Sequence, residues 1–498
     1  MGNVTFAGLG DVYLRNPTTK RKVKQLLWGD FLNVVGTDGD YFEVRWGTQR
    51  YLVRRDECQD ERPLEVVFVD VGQGDGCLLV TPERPPGEKI VIVDAGEGRN
   101  MYNFLKWRFG KLKKDIGFHA AVITHSDQDH YGGFQPCFEQ ERFSFGKVHH
   151  NGLAERAGQH LFGASDTGGQ FLTEIVATDA EIRALYANEA NRGRKRYPKL
   201  IHTALTGGRV GAVEMLSTVH GTLEGGRSWL PGFSPSESPE LTIEVLGPVV
   251  EPDPQGNPRL RWFGDKPGLT GRGDEAKTKN GHSVLFRLHY RDFSLFFGGD
   301  LNLPAEHFLL RHYAGADPAD PLGDTVEPAR QRFRADVMKS CHHGSADVTD
   351  EFLRAVDPFA FTVSSGDQES YVHPRPDLLG RLGRHGRGPA PLILCTEILR
   401  SGREREDASV LRRIRRLDGL IENPETPDDV REEHRRARAA DQDLLARRNV
   451  EVYGAITLRT DGRHLVIAFR LESKAGSGRR WHTYTFRHDP ALGFAPAR

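Results

Sequence analysis

The chain has little cysteine and no arrangement of it that predicts a disulfide framework. Five cysteines occur in 498 residues, an odd number, and they are widely spaced without a CxxC pair. Small secreted proteins held together by disulfides use cysteine differently. We therefore expect a reducing, cytoplasmic location.

Long hydrophobic runs are also absent. No segment approaches eighteen consecutive apolar residues, and the N-terminus MGNVTFAGLGDVYL lacks the basic and then apolar pattern of an export signal. We expect no membrane association. Hydrophobic residues at 38% and charged residues at 28% fit a globular protein, and the length predicts two or three structural units.

An excess of charge of one sign is the third absence. The net charge of −1 gives no support to non-specific nucleic-acid binding, for which a basic chain is typical. The basic segment RGRKRYPK at 192–199 is a local exception, and such clusters are commonly solvated surface. If the substrate is nucleic acid, we expect activity to fall with salt and to depend on Arg192, Arg194 and Lys195.

Hydrophobic patterning divides the chain. Residues 1–60 alternate apolar and polar residues around Gly-containing turns, which predicts a small β-rich module similar to bacterial SH3-like barrels. From residue 64, buried-type strands alternate with helical spacing, which predicts a layered α/β fold up to 399. Residues 400–450 are helical and carry charges of both signs, and 451–498 contain closing strands and the tail.

The segment THSDQDHYGG, which follows an apolar strand, contains the densest set of metal-ligand side chains. His125, Asp127, Asp129 and His130 form an H-x-D-x-D-H pattern in one tight loop. Side chains at a strand's carboxyl end leave the sheet together, and this pattern offers two groups of donors that suit a pair of metals. The sequence therefore predicts a metal site here.

Further ligands must come from other strand ends. Asp300 ends FSLFFGGD, His342 and His343 follow ADVMKSC, and His373 follows FAFTVSS. His149, His150 and His220 are weaker alternatives. We expect Asp94, in IVIVDAG, to support the metal loop through hydrogen bonds rather than to bind metal.

These motifs occur in a familiar order. FVDVGQGDGCLLV, IVIVDAG, THSDQDHYGG, SVLFRL, LFFGGDL, VMKSCHHGS and YVHP follow one another as they do in metallo-β-lactamase-fold proteins. The chain resembles most the soluble hydrolase domain of ComEC-type competence (DNA-uptake) proteins, over 64–399 and again at 453–462. The resemblance makes 400–450 a helical insertion and 451–498 the closing strands of the same α/β domain.

The resemblance implies an αββα sandwich with two divalent metal ions at the rim of its sheets. His125 and Asp127 would hold the first metal, Asp129 and His130 the second, and Asp300 would bridge them. The remaining ligands would be His342, with His343 as its alternative, and His373, and His150 is the best residue for the first site's isolated histidine. A carboxylate at Asp127 makes Mn²⁺ or Mg²⁺ credible beside Zn²⁺.

The implied reaction is hydrolysis of a phosphodiester by a hydroxide held between the two metals. Asp129 would accept a proton or orient the water, and His343 and Ser345 would contact the phosphate or protonate the leaving oxygen. The resemblance favours a nuclease. The alternatives are hydrolysis of a small phosphodiester and a non-catalytic metal-binding scaffold that binds a protein partner through its N-terminal module or through 400–450.

Overall fold

The computed structural model describes residues 3–158, 160–264, 273–366, 371–398, 408–423, 425–471 and 478–497. Within these ranges, the first sixty residues form one antiparallel sheet, the N-terminal sheet, in the order β3-β2-β6-β5-β4-β1-β7. Its strands are β1 (Asn3–Ala7), β2 (Val12–Arg15), β3 (Lys22–Leu26), β4 (Phe31–Asp38), β5 (Tyr41–Trp46), β6 (Gln49–Arg54) and β7 (Cys58–Gln59). The predicted β-rich segment is thus present, and its likeness to SH3 domains stays a prediction.

The remaining strands of the described chain form two large sheets and one small one. They are β8 (Leu64–Phe68), β9 (Gly76–Val80), β10 (Ile90–Ala95), β11 (Ile116–Val122), β12 (Phe143–His150), β13 (Phe171–Leu172), β14 (Val210–Met215), β15 (Thr222–Glu224), β16 (Arg227–Trp229), β17 (Leu241–Gly247), β18 (Glu251–Pro252), β19 (Pro258–Arg261), β20 (Leu285–Tyr290), β21 (Phe293–Phe297), β22 (Val337–Lys339), β23 (Ala360–Val363), β24 (Leu392–Cys395), β25 (Ile456–Thr460), β26 (His464–Arg470), β27 (Trp481–Asp489) and β28 (Gly493–Pro496).

The first core sheet has the order β14-β12-β11-β10-β9-β8-β25-β26-β27-β28, and the second has the order β15-β16-β17-β20-β21-β22-β23-β24. A small sheet joins β13, β19 and β18. Strand β25 pairs with β8, so the C-terminal strands complete the first core sheet. The domain division of the sequence analysis stays a prediction.

The helices are α1 (Asn100–Arg108), α2 (Gln128–Tyr131), α3 (Gln135–Phe138), α4 (Asp179–Ala187), α5 (Glu189–Arg192), α6 (Arg196–Thr206), α7 (Glu275–Gly281), α8 (Leu303–Ala314), α9 (Val326–Phe333), α10 (Asp350–Val356), α11 (Pro376–His385), α12 (Ala408–Glu422) and α13 (Asp428–Tyr453). The predicted helical segment 400–450 thus contains α12 and most of α13, and residues 400–407 lie outside the described residues. Among the described helices, none combines the length and apolarity needed to cross a membrane.

The core consists of four layers. Apolar side chains from the facing sides of the two core sheets pack together. Val122 from β11 and Phe297 from β21, for example, belong to the same buried cluster. The outer side of the first core sheet packs on α1, α3, α4 and α6, and the outer side of the second packs on α8 to α11. Successive side chains of a strand point to opposite faces of its sheet. Ala120 and Val122 of β11 therefore face the second core sheet, and Ala121 faces the helices. The fold is therefore mixed α/β, as predicted.

Both core sheets bring parallel strands to one edge. Strands β10, β11, β12 and β14 run parallel in the first, and β21 to β24 run parallel in the second. Because parallel strands end at the same edge, the segments after β11, β21 and β22 meet there.

Candidate metal centre

The segment THSDQDH, called the metal loop below, follows β11. A buried carboxylate on the neighbouring strand holds this loop in place. Asp94, at the end of β10, accepts hydrogen bonds from the backbone N–H of Thr124 (2.8 Å) and from its hydroxyl (2.6 Å). Asp94 also lies 2.8 Å from Nδ1 of His130. This carboxylate thus supports the loop, as the sequence analysis expects.

Glycines let the backbone pack tightly around this loop. A Cβ at Gly74 would collide with the carbonyl oxygen of Asp129, and a Cβ at Gly133 would collide with that of Ala95. Only glycine permits such close approach of two backbones. The glycines of VGQGDG and HYGG therefore bring Asp75 and the metal loop together.

Two imidazoles and one carboxylate meet at the centre of the site. Nε2 of His130 and Nε2 of His343 are 3.1 Å apart, and Oδ2 of Asp300 lies 3.2 Å from the first and 3.1 Å from the second. All three side chains are buried. Oδ1 of Asp300 is buried and has no hydrogen-bond partner among the described residues.

The outward-facing nitrogens of both imidazoles contact carboxylates. Nδ1 of His130 contacts Asp94, and Nδ1 of His343 lies 3.1 Å from Oδ1 of Asp75. The other oxygen of Asp75 forms an ion pair with the buried ammonium of Lys339, which also donates to the carbonyl oxygen of Gly299 at 3.1 Å. An Nδ1–H donated to a carboxylate leaves Nε2 as a lone pair that points to the centre.

His125 and Asp127 form a second group beside Asp300. Nε2 of His125 lies 3.3 Å from Oδ2 of Asp127 and 4.0 Å from Oδ2 of Asp300. Lys279, on α7, forms an ion pair with Asp127, and Nδ2 of Asn280 donates to Oδ2 of Asp127 at 2.8 Å. Asp127 therefore already has a cationic partner within the chain.

Opposite charges in the central group stabilise one another against the cost of burial. Burial opposes ionisation of Asp300, but His130 and His343 outweigh it and hold its pKa well below the usual range. Burial likewise opposes a charge on His130, yet Asp300 and Asp94 raise its pKa well above the usual value. For Asp127, His125 and Lys279 outweigh burial and lower the pKa to about 2. These carboxylates thus remain ionised at neutral pH.

The backbone at the centre is strained. His342 and His343 have φ of 46° and 52°, and Asp94 has φ of 54°. This left-handed region costs non-glycine residues ~1–3 kcal/mol each, and such strain concentrates at functional sites. Here the left-handed residue His343 places its imidazole against Asp300.

The donor set fits a divalent cation. Asp75, His130, Asp300 and His343 are all buried, and each offers a ligand atom within 4.8 Å of the others. Imidazole nitrogen and carboxylate oxygen are ligands for Zn²⁺ and Mn²⁺. Both oxygens of Asp75 have partners, so we assign Asp75 to the support of His343. Asp129, whose Oδ2 lies 3.5 Å from Nε2 of His343, is the better candidate for a ligand.

The structure brings most of the predicted site residues together. His125, Asp127, Asp129, His130, Asp300 and His343 lie within this group, and Nε2 of His342 lies 3.8 Å from Oδ2 of Asp300. His343 is therefore closer to Asp300 than its neighbour His342, which the sequence analysis preferred. The roles of these residues stay predictions.

Other predicted residues lie at the edge or elsewhere. The ring of His373 packs beside His342, with 5.9 Å between centroids, and the Ser345 hydroxyl accepts from the backbone N–H of Asp347 at 3.2 Å. His150 is buried at the end of β12, where its Nδ1 accepts from the N–H of Gly152 at 3.1 Å. Burial and then His220 lower its pKa to about 4. The described contacts therefore do not bring His150 to the cluster.

The weaker alternatives also lie apart from the central group. His149 is buried at the end of β12, and burial lowers its pKa to about 3. Nδ1 of His220 lies 2.7 Å from the hydroxyl of Ser217.

Sequence reasoning missed Asp75, Lys339 and Lys279. Asp75 stands between two glycines in VGQGDG, a pattern that could have indicated a carboxylate close to another backbone. The two lysines carry no such signal, because their partners are distant in the sequence.

No family model matches the chain. ComE operon protein 3 of Bacillus subtilis (strain 168) is 19% identical over 337 residues, which cover 64% of this chain and 31% of that protein, so the match spans about a third of the relative.

Two solved structures show limited similarity. The CmlA beta-hydroxylase E377D mutant has a TM-score of 0.28 at 13% identity and covers 68% of this chain and 54% of its own. MEM-A1, a subclass B3 metallo-beta-lactamase from a soil metagenome library, has a TM-score of 0.24 at 13% identity, covering 56% and 76%. The resemblance of the chain to ComEC-type proteins, indicated by its motifs, is confirmed by the similarity to ComE operon protein 3.

Proposed function

We propose that the protein is a metal-dependent hydrolase of phosphodiesters, acting on nucleic acid. The observation that carries the proposal is the buried convergence of two imidazole Nε2 atoms, from His130 and His343, on the carboxylate of Asp300. Asp94 and Asp75 lie behind the two rings at Nδ1, so a cation that displaces a proton from Nε2 would find both lone pairs directed at the centre.

His130, His343, Asp300 and Asp129 would hold a divalent cation at the centre, and His125, Asp127 and His342 would supply a second position beside Asp300. A divalent cation in this setting lowers the pKa of water and offsets the negative charge that develops on a phosphodiester. Two metals, with Zn²⁺ or Mn²⁺ favoured and Mg²⁺ as an alternative, remain part of the proposal.

The chain's own residues orient and neutralise this site. Asp94 and Asp75 lie within hydrogen-bond distance of Nδ1 of His130 and His343, where they would keep a proton on each Nδ1 and fix the direction of both rings. Lys339 neutralises Asp75 from within the core, and Lys279 neutralises Asp127 near the surface. Asp129, with a side chain 18% exposed, is accessible enough to accept a proton from an attacking water.

The choice of nucleic acid rests on the ComEC-type motifs. Hydrolysis of a small phosphodiester is the alternative for the same site, since the chemistry at the phosphorus is identical.

The test compares wild type with the Asp129→Ala/His130→Ala variant. Each is incubated with bis-p-nitrophenyl phosphate and with single- and double-stranded DNA and RNA, under Mn²⁺, Mg²⁺ and Zn²⁺ in turn. We expect metal-dependent cleavage in wild type, its loss in the variant, and its retention in His482→Asn, which alters a histidine on the distant strand β27. A folded, metal-loaded wild type that cleaves none of these substrates contradicts the proposal and leaves a metal-binding scaffold.

A further inference from the structure

A cavity of about 530 Å³ lies directly behind the metal loop. Its lining includes Gln128, Tyr131, Arg192, Arg196, Lys199 and Glu97. This volume is within the range of sites that take a nucleotide-sized group. The cavity is separate from the buried cluster, and the catalytic proposal does not use it.

The cavity wall is strongly basic. Arg196, Lys199 and Thr203 line it from α6 at spacings of three and four residues, so they share one face of that helix. Arg196 and Lys199 are exposed, and Arg192 is held in place by bonds to the carbonyl oxygens of Tyr186 and Ala187. In a chain of net charge −1, this is a local concentration of positive charge.

The single carboxylate among the lining residues has a polar partner. Oε1 of Glu97 accepts from Nε2 of Gln128 at 2.6 Å. The lining thus combines one acidic residue with three basic residues, Arg192, Arg196 and Lys199. An anionic ligand is favoured by this balance.

The helical turn of α2 connects the cavity to the metal loop. Gln128, Tyr131 and the next residue, Gly132, line the cavity, whereas Asp129 and His130 belong to the cluster. Successive residues of a helix point in directions about 100° apart. The cavity and the cluster therefore lie on different sides of the same short turn.

We propose that Arg192, Arg196 and Lys199 form an exosite for the phosphates of a nucleic-acid strand, a few nucleotides from the bond that is cut. The proposal rests on the proposed phosphodiesterase function and adds a selection for polymeric over small substrates. Arg196 and Lys199 are separated by about 4.5 Å along the helix axis, so their long side chains can contact phosphates of the same strand. A small phosphodiester bound at the cluster would carry no further phosphate for these basic residues to contact.

The experiment measures binding in EDTA, where no metal-dependent cleavage takes place. The probe is a 5′-fluorescein-labelled 20-nucleotide single-stranded DNA, titrated by fluorescence anisotropy between 50 and 200 mM KCl. The test variant is Arg196→Gln/Lys199→Gln, which removes two exposed charges from the cavity. The control is Lys113→Gln/Lys114→Gln, which removes two exposed charges at the other end of β11 from the metal loop.

We expect wild type and the control to bind alike, and the cavity variant to bind at least about tenfold more weakly at low salt. Removal of two phosphate contacts should reduce the slope of log affinity against log salt by about 1.4. An unchanged slope in the cavity variant, an equal loss in the control, or no binding by wild type overturns the exosite. Strand binding without cleavage under any metal refutes the proposed hydrolase and leaves a nucleic-acid-binding site at this cavity.

Discussion

The ammonium of Lys279 forms an ion pair with Asp127, at a position where the sequence resemblance implies a metal ligand. Lys279 is also 3.8 Å from Glu155, and its side chain is 14% exposed. A cation of the chain thus competes with a divalent cation for the same carboxylate.

We expect Lys279→Met to take up more divalent cation per chain than wild type. The substitution leaves the negative charge of Asp127 without its neutralising partner beside His125 and Asp300, so a second cation is attracted more strongly. Uptake after chelator treatment is measured by isothermal titration with Mn²⁺ and by elemental analysis. Lys277→Met, on the exposed side of the same helix, is the control, and equal uptake by all three proteins contradicts the prediction.

We expect Asp94→Asn to weaken metal binding about 10- to 100-fold, the usual effect of removing a carboxylate behind a ligating histidine. Its charge keeps the proton on Nδ1 of His130 and directs Nε2 to Asp300. Competition with a chromogenic chelator measures the dissociation constant. Glu97→Gln, which alters a carboxylate near the same loop but outside the cluster, should bind metal as wild type does.

Asp75 and Lys339 should show strong energetic coupling. Asp75→Asn removes the ion-pair partner of the buried ammonium of Lys339, and such a loss costs about 3–5 kcal/mol of unfolding free energy. Urea unfolding in EDTA measures this for Asp75→Asn, Lys339→Met and the double variant. The double variant should lose much less than the sum of the single losses, and additive losses would show that the pair is not coupled.

Glu306 predicts a pH dependence of stability. Burial raises the pKa of Glu306 to about 8 from its ordinary value of 4.5, although bonds from Thr349 act in the opposite direction. The folded chain keeps a proton that the unfolded chain releases above pH 4.5. The stabilisation from this group is therefore complete below pH 4.5 and is lost as pH rises to about 8.

Glu306→Gln removes this dependence, because an amide does not titrate. Its unfolding free energy relative to wild type should increase between pH 5 and 8, by at most about 1.4 kcal/mol per pH unit, and level off above pH 8. Urea unfolding across this range tests the slope. Glu141→Gln, an exposed substitution, is the control, and parallel curves for wild type and Glu306→Gln contradict the prediction.

The sequence by itself determined the strands next to the candidate metal site and the types of side chain that could bind a metal there. KIVIVDAG and HAAVITHS predict the strands found at Ile90–Ala95 and Ile116–Val122, and the donors of THSDQDH follow the second. Strand periodicity and ligand chemistry are local properties, so they can be read from a short segment. The same reasoning identified Asp94 as a supporting residue.

Only the tertiary structure decided which distant residues act together. The contacts of Lys339 with Asp75 and of Lys279 with Asp127 join residues far apart in the chain, and neither lysine differs in sequence from a surface lysine. His343 lies 3.1 Å from Asp300 and His342 lies 3.8 Å from it, and no pattern in HHGS predicts which of the two adjacent histidines is closer. The basic segment 192–199 likewise gained a specific position only when α6 packed beside the metal loop, because packing, and not composition, sets the neighbours of a surface charge.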